Sequence, residues 1–347
     1  MTPAGTTPPP APFGGFTFRR WAGFEDIAGM VAANNRLRQH VGVLEPVDEA
    51  GMGHRYATLV NSEPRADCLV AEREGEIVGY GRIEWQDWLS GERIWDLTLV
   101  AEPSTWGTGL AEAIVAWCER RCLDVAAALP PTEREERLLA FELGGNEELT
   151  RVLHGMGYRE VRRFAEMLRD SLDGVESPAV PSDYELRSPE EHELPAVWTS
   201  LIEAFAEHWG ERTAEEQDPV TWWGDPRFRR DLVVVAWWRD PADPGAPPIP
   251  AAAVTGYLDA DRGPEHPPRG LVESVLTLPE HRRQGLAEAT ILELLGRLQR
   301  AGATSAYLDV DTSNATGALR LYERCGFRTT TVSRAYARPL AAATRTP

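Results

Sequence analysis

The stretch Thr277–Ala289, "TLPEHRRQGLAEA", decides how this chain is read. An apolar, strand-like run reaches Pro279, passes two arginines and a glycine, and enters a helical pattern. A strand that turns through glycine into a helix presents free backbone N–H groups at the positive end of the helix dipole, which makes an anion site, usually for phosphate. Gly285 and Ala287 allow close approach of backbone to an anion, and Arg282 and Arg283 add positive charge. Dinucleotide folds need G-x-G-x-x-G/A at this place, a spacing met neither here nor in "WGTGLAEA" at 106–113.

Outward from this stretch, one order of elements occurs twice. In the second half "YELR" at Tyr184 reads as a strand, Glu191–Trp209 as a helix, and "DLVVVAWW" from Asp231, "IPAAAVTGYLD" from Ile249 and "GLVESVLTL" from Gly270 as strands. A helix over Gly285–Ala301, a strand "SAYLDV" from Ser305 and a helix over Thr316–Arg324 follow. The first half repeats the pattern with "CLVAEREGEIVGYGRIE" as two strands joined at Glu74 and Gly75, then "RIWDLTLV", then a helix from Gly109. Pro103 and Pro279 lie 176 residues apart, as do Gly109 and Gly285, while Gly157 and Gly326 lie 169 apart, which points to an internal duplication. The expected organisation is a disordered tail over 1–15, a first domain over 16–171, a Pro- and Gly-punctuated linker over 172–183, a second domain over 184–340 and a tail over 341–347.

Composition excludes several alternatives. The 347 residues suffice for two domains with their own cores. A net charge of −18 disfavours nucleic acid and anionic lipid as partners. All 36 basic residues are Arg, so neither a Walker phosphate loop nor lysine Schiff-base chemistry is available. No apolar run approaches a membrane span, residues 1–12 lack signal-peptide character, and a cytoplasmic location is expected. Cys68, Cys118, Cys122 and Cys325 are too scattered for a disulfide framework, and core packing is preferred over metal binding for Cys118 and Cys122. No metal is expected.

"TLPEHRRQGLAEA" taken with "NATGALRLYERCGF" (Asn314–Phe327) resembles the acetyl-CoA-binding core of the GNAT superfamily of acyl-CoA-dependent N-acyltransferases. The loop pattern is met by Arg282, Gly285 and Ala287, and the later motif by Asn314, Leu321, Tyr322, Gly326 and Phe327, in the right order and about 30 residues apart. The resemblance covers nearly the whole chain as a tandem pair, an arrangement similar to that of mycothiol synthase. It implies an α/β (α+β) fold of two GNAT-like domains, each a mixed, mostly antiparallel sheet flanked by helices. It also implies acetyl-CoA as acyl donor, bound by Leu276, Thr277, Leu278, Arg282, Arg283, Gln284, Gly285, Leu286, Ala287 and Asn314. The first half departs from the pattern: Trp106 stands where Arg is expected and Leu153 at the position of Tyr322, which marks a degenerate copy.

Transfer to an amine needs a group to take a proton from the ammonium and one to return a proton to the departing thiolate. By the resemblance Tyr322 is the acid. Glu273, a carboxylate in an apolar strand run, is the candidate base; strict alternation puts it on one face with Leu271, Val275 and Thr277, and burial there would raise its pKa. A structural ion pair with an Arg is the competing reading. His208 is a second candidate base or substrate contact, or else a helix C-cap, and Trp209 beside it a candidate acceptor contact. The expected function is acetyl transfer to a primary amine of a small molecule in the second domain, by a monomer or homodimer. The alternative is a non-catalytic acyl-CoA-binding sensor or scaffold.

Overall fold

The computed structural model describes residues 7–176, 178–205, 209–210, 219–259, 267–313 and 317–340. The chain forms two compact units, one of residues 1–164 with 331–347, the other of residues 165–330.

The first unit runs β1 (Phe16–Arg20), α1 (Ile27–Val41), α2 (Glu49–Ala57), α3 (Pro64–Asp67), β2 (Cys68–Arg73), β3 (Glu76–Asp87), β4 (Glu92–Ala101), α4 (Leu110–Ala128), β5 (Glu135–Glu142) and α5 (Glu147–Gly155), ending in the first part of β6 (Arg159–Arg169). Neighbouring strands from β1 to β4 are antiparallel and β4–β5 is parallel. Alternation in β2 sorts the core by face. Cys68 and Val70 pack with Met30, Leu37 and Tyr56 of α1 and α2, whereas Leu69 and Ala71 pack with Ile114, Trp117 and Cys118 of α4. The β2–β3 turn falls at Glu74 and Gly75, both at positive φ, as the sequence suggested. Cys118 and Cys122 are buried in the α4 core, as their helical spacing suggested.

The second unit continues from the end of β6 through β7 (Tyr184–Arg187), α6 (Leu194–Phe205), α7 (Val220–Trp223), β8 (Val233–Trp238), β9 (Ile249–Leu258), β10 (Arg269–Thr277), α8 (Leu286–Arg300), β11 (Ser305–Asp311) and α9 (Ala318–Arg324), and closes with the start of β12 (Arg328–Pro339). Its strands lie in the order β6-β11-β10-β9-β8-β7. Val233, Val235 and Trp237 of β8 pack under α6 with Leu194 and Val197, while Val234 faces the α8 core of Ile291, Leu294 and Leu298.

Two boundaries differ from the sequence expectation. Residues 7–15 are not a loose tail: Thr7 is buried with its hydroxyl bonded to Asp124, Trp117 Nε1 donates to the Pro8 carbonyl at 3.1 Å, and Phe13 bridges to Phe16. The units divide near Phe164 rather than at 172–183, because the outer part of β12 returns to the first unit and pairs antiparallel with β5, from Arg334↔Glu142 to Pro339↔Arg137. There Tyr336 is fully buried in the α4 core and Arg334 pairs with Glu142 at 2.9 Å. A non-local pairing of this kind leaves no mark on local periodicity. Tyr336→Ala is expected to cost about 3 kcal/mol. Chemical denaturation should show a lowered transition for the first unit with acetyl-CoA binding retained, and an unchanged transition would contradict this placement.

Candidate active site

In β10, antiparallel pairing with β9 slips between Val272↔Gly256 and Val275↔Val254, so three residue steps on β10 oppose two on β9. This is a β-bulge at Glu273 and Ser274. It reverses the side-chain faces: Val272 and Val275 both join the α8 core, whereas Leu276 packs under α6. The expected face shared by Leu271, Glu273, Val275 and Thr277 is therefore broken at the bulge. Glu273 is exposed in the cleft rather than buried, so the desolvation expected from its apolar neighbours is not what its surroundings supply.

The bulge also parts two parallel strands. β10 pairs with β11 at only three positions, Arg269↔Ser305 to Leu271↔Tyr307, after which β10 stays with β9 and the edge facing β11 opens. A cavity of about 500 Å³ fills the gap. Leu276 and Thr277 of β10 form one wall, Asp309 and Asp311 of β11 the other, and Leu321 and Tyr322 of α9 part of the floor.

At one end of this cleft lies the loop that opened the sequence reading. Arg282, Arg283, Gly285, Leu286 and Ala287 all line it. Arg283 and Gly285 both take left-handed backbone, at φ 63° and 79°; the first is strained for a side-chain-bearing residue, the second suits glycine. The N-cap of α8 is Gly285, which has no side chain to cap the opening N–H groups. Arg282 Nε donates to the Thr277 carbonyl at 3.2 Å, which folds the loop back on β10. His281, buried behind the loop, is hydrogen-bonded through Nδ1 to the Tyr184 hydroxyl at 2.8 Å and packs on Trp238.

Tyr322 is buried at the cleft floor beside Phe327, and burial raises its phenol pKa, with Cys325 adding to the shift. It stays protonated across any ordinary working range. Two expected cofactor contacts do not line the cleft. Leu278 is buried under α6 with its N–H bonded to the Ala251 carbonyl, and Gln284 is exposed and is not among the lining residues. Trp209 is half-buried and is not among the lining residues. Asn314 and His208 lie outside the described residues. Sequence reading missed Asp309 and Asp311, which look like ordinary strand residues, and Gly317, whose place beside "NAT" was the available signal.

The first unit repeats the loop and loses the cleft. Gly107 and Gly109 adopt φ 74° and 87°, matching Arg283 and Gly285 at the 176-residue spacing. There is no bulge: β3–β4 pairing runs unbroken from Gly79↔Ala101 to Asp87↔Arg93, and β4 holds β5 over six positions, Glu92↔Glu135 to Leu97↔Ala140. The corresponding space is about 10 Å³. Counting back from the paired prolines, Glu273 becomes buried Leu97. Tyr322 becomes fully buried Leu153 at the 169-residue spacing. By the same 169-residue spacing Gly317 becomes Glu148, whose carboxylate accepts the Gly107 N–H at 2.8 Å. The first unit thus places a carboxylate of its own against the loop.

Comparison with known proteins agrees with this architecture. The model of the acetyltransferase (GNAT) family matches residues 44–129 and 194–327, one segment in each half. The chain belongs to the GNAT acetyltransferase family. It is 30% identical over 268 residues to mycothiol acetyltransferase of Thermobispora bispora, covering 76% of this chain and 80% of that protein. A GCN5-related N-acetyltransferase from Sphaerobacter thermophilus superposes with a TM-score of 0.72 at 20% identity, over 94% of this chain and 96% of that one. A tandem GNAT protein from the clavulanic acid biosynthesis pathway gives 0.64 at 14% identity, over 94% and 99%. At these identities the two structures speak for the fold. GNAT proteins use acetyl-CoA as acyl donor, and no helix among the described residues is long and apolar enough to cross a membrane.

Gly317→Glu should reproduce in the second unit the plug seen in the first. Acetyl-CoA affinity is expected to fall at least about tenfold, since a carboxylate then competes for the same charge-assisted contacts. Gly317→Ala, which shares the backbone strain at φ 74° but carries no charge, should keep most of the affinity. Equal calorimetric affinities for the Glu and Ala variants would contradict the equivalence of Glu148 and Gly317.

Proposed function

We propose that this protein transfers an acetyl group from acetyl-CoA to a primary amine of a small molecule, and that the second unit performs the reaction. The observation that carries the proposal is the cleft at the β10 bulge, which joins an uncapped helix N-terminus to a tyrosine floor and a carboxylate wall.

The residues present fit the donor. Backbone N–H groups from Arg283 to Ala287, with Arg282 beside them, would hold the pyrophosphate, and Gly285 lets it approach the helix closely. The edge of β10 beyond the bulge is free of β11, and its backbone groups would receive the amides of the pantetheine arm. When bound, acetyl-CoA supplies the thioester carbonyl that the amine attacks.

Glu273 would take a proton from the attacking ammonium, directly or through one water, and Tyr322 would donate to the departing sulfur. A phenol kept protonated by burial suits a donor and not a base. With Glu273, Asp309 and Asp311 on its walls, the cleft favours an acceptor that arrives as a cation. The resemblance to mycothiol acetyltransferase supports an amine of that general kind and leaves desacetylmycothiol as one member of the panel to be tested, with polyamines, aminoglycosides and amino acids.

Thiol release from acetyl-CoA across that panel tests the proposal. With the accepted amine, Tyr322→Phe should lower kcat about a hundredfold with little change in acetyl-CoA affinity and without displacing either limb of the pH profile. Glu273→Gln should abolish the acidic limb of kcat/KM for the acceptor. Full turnover in Tyr322→Phe, or an acidic limb that survives in Glu273→Gln with its apparent pKa unmoved, would remove the corresponding role.

A further inference from the structure

An ion pair in the wall of the cleft joins the opening turn of α8 to the last turn of α9. Glu288 is the acidic residue of the first turn of α8, three residues past the Gly285 N-cap and so on the same helix face. Arg324 ends α9, and Gly317, Leu321 and Arg324 recur at helical spacing on the face that lines the cleft. Arg324 Nε donates to Glu288 Oε2 at 3.1 Å, and both residues line the cavity. Arg324 Nη1 reaches the Arg320 carbonyl at 3.4 Å, a long contact. The two paired side chains are 59% and 34% exposed. An ion pair so open to water contributes little to stability and is readily exchanged for another partner.

The closed half supplies the contrast. At the 176-residue spacing Glu288 becomes Glu112, and Arg151 of α5 pairs with it at 2.7 Å. Arg151 is also held at 3.0 Å by Glu148, the carboxylate that accepts the Gly107 N–H. The cation there is shared by two carboxylates. In the open half Gly317 stands in place of Glu148, and Arg324 is paired with Glu288 alone. A guanidinium so placed can present its planar fork to a phosphate through two N–H groups.

Resting on the acyl-transfer reading, we infer that Arg324 is a donor-binding residue that reads the phosphate end of CoA, and that Glu288 competes with the phosphate for it. The two partners then act on donor affinity with opposite signs. Arg324 adds a charge-assisted contact to those offered by the loop. Glu288 occupies that guanidinium, and its own charge opposes an anion at the start of α8. A pair that only braced α8 against α9 would behave otherwise: loss of either partner would act in the same direction.

The test is calorimetric titration of the whole chain with CoA and with 3′-dephospho-CoA, in Arg324→Gln and Glu288→Gln, with folding checked by circular dichroism. Arg324→Gln should weaken CoA binding by about tenfold. Glu288→Gln should tighten it by about two- to fivefold. A loss in Arg324→Gln that is equal for both ligands assigns the contact to the pyrophosphate, and a loss confined to CoA assigns it to the 3′-phosphate. Wild-type affinity in Arg324→Gln, or a Glu288→Gln variant weakened in step with it, overturns the inference and leaves the acyl-transfer reading standing. A wild-type chain that binds no CoA overturns that reading and the inference with it.

Discussion

One extra residue in β10 governs the rest of the second unit. Without the bulge at Glu273 and Ser274, β10 would follow β11 as β4 follows β5, and there would be no cleft. With it, the free edge of β10, the uncapped start of α8 and the buried Tyr322 all open onto one space. The cost of the bulge is a break in the β9–β10 ladder between Val272 and Val275. The flanking register offsets it, since Val275, Leu276 and Thr277 pair with Val254, Ala253 and Ala252 and keep the strand in the sheet.

The two halves show how little separates an open site from a closed one. Both keep the loop with two left-handed residues before a long helix, because that turn is a local property of glycine and helix termini. The first half lacks the bulge and the tyrosine and carries Glu148 where the second half has Gly317. A carboxylate bonded to the Gly107 N–H satisfies that donor, so the closed half leaves it paired. Trp106 fills the rest of the position, bonded through Nε1 to the Ala101 carbonyl and set edge-on to His40.

Local features were legible in the sequence, and non-local ones were not. The strands at Tyr184, Val233, Ile249, Arg269 and Ser305 and the helix from Leu286 follow from hydrophobic period and turn residues. The left-handed turn before that helix follows from Gly285. "LVESVLTL" reads as regular alternation, and nothing in it marks the slip that turns Glu273 outward; the bulge is visible only against β9. The return of β12 to β5 and the Glu148–Gly107 bond join residues far apart in the chain, so no window of sequence contains them.

Isothermal titration of the whole chain with acetyl-CoA tests the central claim most directly, because the donor site is proposed for the open half alone. One acetyl-CoA bound per chain, lost in Gly285→Glu and retained in Gly109→Glu, is the result this account expects. Two sites per chain, or a single site that survives Gly285→Glu and is lost in folded Gly109→Glu, would contradict it.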